Sequence, residues 1–108
     1  MAPSRIRLTT TTRLVLDALL DADPGDPPWG YRLCEITGLG PGTVYPILER
    51  LETAGWVAGT WEHPKPDDRP ARRTYTVTGT GRLAYAEAKA AKAHRQTARF
   101  ALRPRMEA

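Results

Sequence analysis

A chain of 108 residues, 41% of them hydrophobic and 7% aromatic, holds apolar mass for one small core and not for a second. A single cysteine, Cys34, with only His63 and His94 besides, excludes an internal disulfide and the ligand set of a structural zinc site. The net charge of +4 is a modest basic excess. No apolar run reaches the roughly 18 residues of a membrane span, and Arg5 and Arg7 lead into four threonines rather than a signal-peptide core, so a cytoplasmic protein without membrane contact or cofactor is expected.

Residues 10–23 place Leu14, Val15, Ala18, Leu19 and Ala22 at helical spacing, with a threonine available as cap and Leu8 positioned to pack beneath. The run from Pro24 to Pro28 contains three prolines and a glycine, which cannot continue a helix. A short second helix follows over residues 29–37, carrying Trp29, Leu33 and Ile36 and closed by Gly38, with Cys34 as a small buried hydrophobe.

The next stretch, residues 40–57, organises the chain. At 100° per residue, Val44, Ile47, Leu48 and Leu51 fall within one arc. Gly42, Pro46, Glu49 and Thr53 gather at the opposite pole, with Tyr45 and Arg50 on its flanks. One face is made for a core and the other is left to touch a partner. Pro46 costs little if Thr43 is the N-cap, because it then falls where its missing N–H has no intrahelical partner. If Pro41 is instead the first helical residue, the helix starts earlier and should bend near Pro46. An irregular first turn between Gly40 and Val44 is the favoured expectation. Gly55 supplies the left-handed stop, and Trp56-Val57 opens a strand. Two short helices joined by a glycine-bearing turn make a helix-turn-helix.

Residues 56–62 and 73–77 read as the two arms of a hairpin, with Trp56 and Trp61 expected to anchor it to the core. The loop between them holds three prolines together with Lys65, Arg69, Arg72 and Arg73, and forms a wing suited to phosphate contact or to the minor groove. Its plainer reading is a solvated loop balanced by Asp67 and Asp68. Thr78 can cap a last, alanine-rich helix running to about Leu102, after a flexible Gly79-Thr80-Gly81. On that helix Leu83, Ala86, Ala90, Ala93, Thr97 and Phe100 recur at heptad spacing, which predicts a dimer interface completed by Leu16 or Leu20 of the first helix. The domain plan is thus a DNA-binding unit over residues 1–78 and a dimerisation helix over 79–108 within one compact domain, mostly α with a small β-hairpin wing.

The charge is unevenly placed. Residues 1–40 carry four basic and five acidic groups, 41–78 five of each, and 79–108 seven basic and two acidic. Basicity alone is therefore weak support for nucleic acid, and a winged-helix protein-interaction module remains an alternative to a DNA binder. A sensor that binds a small molecule without DNA is a further one.

The residues Gly42-Thr43-Val44-Tyr45-Pro46-Ile47-Leu48, Arg50-Leu51-Glu52 and Gly55-Trp56-Val57, followed by Arg72-Arg73-Thr74-Tyr75-Thr76-Val77-Thr78 and Gly81, resemble the PadR family of transcriptional regulators. That resemblance spans residues 30–81. It implies a non-enzymatic, homodimeric winged helix-turn-helix protein that binds double-stranded DNA sequence-specifically, usually as a repressor released by a small molecule. On this reading Gly42, Thr43, Tyr45, Pro46, Arg50, Lys65, Arg69, Arg72 and Arg73 meet DNA. An effector would sit at the dimer centre near Tyr85 and Phe100. Gly79-Thr80 departs from the family pattern, so a loose start to the last helix is expected.

Overall fold

The computed structural model describes residues 6–101, the side chains of the last two excepted. The described residues form α1 (Thr10–Asp21), α2 (Gly30–Thr37), α3 (Pro41–Thr53), β1 (Val57–Trp61), β2 (Arg73–Val77) and α4 (Gly79–Ala101). This is the winged-helix arrangement, three helices followed by a hairpin and a long last helix.

Thr9 caps α1 by accepting the Thr12 N–H at 3.2 Å. Thr12, Val15, Leu16 and Leu19 are its buried residues. Leu14, expected on the apolar face, is instead 43% exposed, and Leu16, expected at a dimer contact, is fully buried. The buried arc is rotated by about a quarter turn from the one its leucines and alanines suggest. Thr12 makes this possible, because its hydroxyl is satisfied by Thr9 at 2.9 Å and so can sit on the inner face.

Gly38 ends α2 in the left-handed conformation, φ 76°, with its N–H donated to the Cys34 carbonyl at 2.9 Å. Leu33 and Cys34 are buried and Ile36 is exposed. Gly40 is the N-cap of α3, and Pro41 lies in its first turn. The expected irregular turn is absent: Thr43 and Val44 both donate to the Gly40 carbonyl at 3.0 Å, and the helix runs unbroken through Pro46. Val44, Ile47, Leu48 and Leu51 are all buried, as their spacing requires. Gly55, φ 78°, then turns the chain so that Trp56 and Val57 enter the core.

β1 and β2 pair antiparallel, with Val57 opposite Val77, Gly59 opposite Tyr75 and Trp61 opposite Arg73. On its other side β2 is bridged by Trp29, and Tyr75 N–H donates to the Pro28 carbonyl at 2.9 Å, which fastens the wing to the start of α2. Trp56 is core, whereas Trp61, also expected there, is 60% exposed because it lies beyond the part of β1 that the helices cover.

The glycine triplet belongs to α4 rather than preceding it. Thr78 caps this helix by accepting the Gly81 N–H at 2.9 Å and donates its own hydroxyl to the Gly55 carbonyl at 2.7 Å. Gly81 is buried against Trp56, where a Cβ would lie 2.7 Å from the Trp56 Cα and carbonyl carbon and overlap the carbonyl oxygen. The start of α4 is therefore tightly seated, contrary to the loose one expected. Tyr85, Ala84 and Ala88 face the core, and from Ala93 to Arg99 every side chain is exposed.

Candidate nucleic-acid interface

The outer face of α3 presents Gly42, Thr43, Tyr45, Pro46, Glu49 and Arg50, all exposed, over the four buried residues of its inner face. Gly42 has nothing within 4 Å of where a Cβ would stand, so its lack of a side chain leaves the backbone open to a partner. Tyr45 is 43% exposed. Its ring lies over Gly30 at the start of α2, where a Cβ would come within 2.6 Å of the phenol oxygen. Nothing in the local pattern signalled Gly30, since the ring it accommodates is fifteen residues along the chain and arrives only when α2 and α3 pack.

The two flanks of this face differ in charge. On the wing side, a groove of about 540 Å³ is lined by Tyr45, Glu49, Glu52, Thr53, Arg73 and Tyr75. Here Arg73 pairs with Glu52, and its guanidinium also lies 5.5 Å from the Trp61 ring centre. At the base of the loop, Arg69 holds Glu62 through two hydrogen bonds of 2.8 and 2.9 Å. That donation draws the Glu62 carboxyl below its usual range and raises Arg69. Arg72 places its guanidinium carbon over the Trp29 ring, 3.8 Å from the ring centre. Two of the wing arginines are thus paired, Arg69 with Glu62 and Arg73 with Glu52, while Arg72 rests on the Trp29 ring and neither it nor Lys65 has an ion-pair partner among the described residues. On the other side of α3, Arg50 faces Arg7 across a cavity of about 360 Å³.

The seam residues Leu83, Ala86, Ala90, Ala93 and Thr97 lie on the exposed side of α4. The side chain of Phe100 lies outside the described residues. Tyr85 points the other way: it is 1% exposed, and its hydroxyl donates to Asp17 at 2.6 Å. Burial, then the bond to Asp17, pushes the phenol pKa up. Tyr85 is a core residue and has no surface to offer an effector, which corrects its expected place in a ligand site. Among the described residues, no three His, Cys, Asp or Glu lie together as a metal would require, and no helix is long and apolar enough to cross a membrane.

Residues 30–87 match the transcriptional regulator PadR-like family. The chain belongs to that family. Solved structures give the same fold. A PadR-like transcription factor from Bacteroides fragilis aligns with a TM-score of 0.62 at 23% identity, over 84% of this chain and 91% of its own. A PadR family transcription regulator from hypervirulent Clostridium difficile aligns at 0.61 and 16%, over 88% and 100%. A zinc-responsive MarR family member, Lactococcus lactis ZitR, aligns at 0.59 and 18%, over 92% of this chain and 63% of its own. No curated protein matches the chain. This PadR-like chain is a transcriptional regulator with a winged-helix DNA-binding fold. The match runs from Gly30 to Glu87, so α1 and the second half of α4 lie outside it.

Proposed function

We propose that this PadR-like chain is a dimeric repressor that reads double-stranded DNA with the outer face of α3. The carrying observation is that face itself: six exposed residues, two of them small or ring-closed, on a helix whose other side is wholly buried. A helix backed rigidly by a core can enter the major groove, which admits one α-helix, without deforming. Repression then needs only that the bound protein covers its site.

Selection of bound duplexes from a random pool tests the proposal, and failure to enrich any sequence favours a protein-interaction module instead. With the selected operator, Tyr45→Ala should weaken binding by about tenfold and relax the base preference beneath it, with the salt slope unchanged. Equal affinity and equal preference in the variant would take Tyr45 out of the interface.

We further propose that two copies join along the exposed seam of α4, with Leu14 of α1, rather than the buried Leu16, as the added apolar contact. The alanines let the helix backbones approach closely, while Lys89, Arg95 and Arg99 face only Glu87, so association should tighten as salt screens the repulsion. Ala90→Arg, at the middle of the seam and exposed within one protomer, should leave the fold intact and yield monomers in sedimentation. A variant that stays dimeric removes α4 from the interface. Two-fold symmetry would set the α3 helices at half-sites about 34 Å apart on a near-palindromic operator. An effector that changed the angle at this seam would change that spacing and release the DNA.

A further inference from the structure

Two of the cavities that α3 borders carry opposite chemistry. A third, of about 390 Å³ under the wing, is lined by Tyr45 with Arg69, Arg72 and Arg73, of which Arg69 and Arg73 are held by Glu62 and Glu52 and Arg72 by the Trp29 ring. The wing-side groove contains Glu49 and Glu52, and its arginine is already committed to Glu52. The α1-side cavity has Ile6, Ile47 and Leu51 as its floor and Arg7 and Arg50 at its rim, with no carboxylate in its lining. Neither Arg7 nor Arg50 has an ion-pair partner among the described residues. The end of α1 also opens here, but Thr9 already takes the Thr12 N–H, so the charge at this place comes from the two guanidinium groups.

We infer that Arg7 and Arg50 together grip the DNA phosphate backbone on the α1 side of α3, and that Arg69 and Arg73 do not contact it. The inference rests on the reading of α3 as the DNA-facing helix and assigns the electrostatic half of that contact. Uncompensated guanidiniums displace the cations condensed on DNA phosphates at no internal cost. Arg69 and Arg73 would first have to leave hydrogen-bonded carboxylates, and the two glutamates of the wing-side groove repel an approaching phosphate. The apolar floor beneath Arg7 and Arg50 carries their aliphatic stems, so that both heads project at the rim. Arg7 precedes the first helix in a segment without helical or strand pattern, and only the packing of that segment onto α3 brings it to Arg50.

The test measures affinity for the selected operator against salt concentration for the full chain, for Arg7→Ala, Arg50→Ala and the double variant, and for Arg69→Ala and Arg73→Ala. Arg7 and Arg50 are exposed, and unchanged unfolding midpoints verify that their variants fold. Each α1-side variant should weaken binding by about tenfold and lower the log–log salt slope by about one, the double variant by about two, and equally for unrelated sequences. The wing variants should keep the wild-type slope. Wild-type slopes in the α1-side variants overturn the inference, and a slope reduced in the wing variants instead returns the phosphate contact to the wing. If the wild-type chain selects no duplex at all, the DNA reading itself falls and this assignment with it, an outcome separate from a bound operator with unaltered slopes.

Discussion

Gly81→Ala should destabilise the fold by about 3 kcal/mol, the upper end of the usual range for overpacking. The new methyl group has no room to relax into, because its neighbour is the Trp56 backbone rather than the end of a flexible side chain. Trp56 is pinned on both sides: its N–H donates to the Leu51 carbonyl at 2.9 Å, and its own carbonyl accepts from Thr78 N–H at 2.9 Å. The helix must therefore move away from the sheet, which breaks the Thr78 cap as well. Against a total stability of order 5–15 kcal/mol, such a loss lowers the melting temperature by roughly 10–20 °C. Gly79→Ala is the control. It sits two residues earlier in the same helix with nothing within 4 Å of its Cβ position, and should be neutral or slightly stabilising. Denaturant titration of the two variants makes the comparison, and a Gly81→Ala protein as stable as wild type would mean that α4 is not seated on Trp56.

Tyr85→Ala should cost about 3–5 kcal/mol, the range for removing a large aromatic from a core. Tyr85→Phe keeps the ring and loses only the hydrogen bond to Asp17, about 1 kcal/mol, because Asp17 is exposed and water replaces the phenol. Chemical unfolding of both variants checks the ratio, and equal losses would mean that the bond to Asp17 rather than the buried ring holds α4 in place. This result bears on function in two ways. A shortened chain ending at Gly81 would lose Tyr85 and with it part of the protomer's own core, so the dimer seam is better probed by substitution at Ala90. Loss of an effector response in Tyr85→Ala would likewise report unfolding and not a ligand contact, since Tyr85 is buried.

The sequence by itself determined the elements whose cause is local. The inner face of α3 follows from four apolar residues at helical spacing, its outer face from what remains, and the stops at Gly38 and Gly55 from a backbone conformation that glycine adopts without strain. The hairpin follows from two short β-rich runs separated by prolines. Tertiary structure alone decided what depends on residues far apart in the chain. Which side of α1 turns inward was set by its neighbours, and Thr12 could join the inner face only because Thr9 satisfies its hydroxyl. Trp61 is as apolar as Trp56, yet the helices cover one and end before the other. Arg69 meets Glu62 from seven residues away and Arg73 meets Glu52 from twenty-one, so the composition of the loop could not reveal that its arginines were already engaged. Gly81 looked like a flexible joint because a glycine chosen for close packing and one chosen for freedom are the same letter. Arg7 and Arg50 came to line one cavity only through the path of the arm before α1, since the field of two charges depends on their distance in space and the sequence records only distance along the chain.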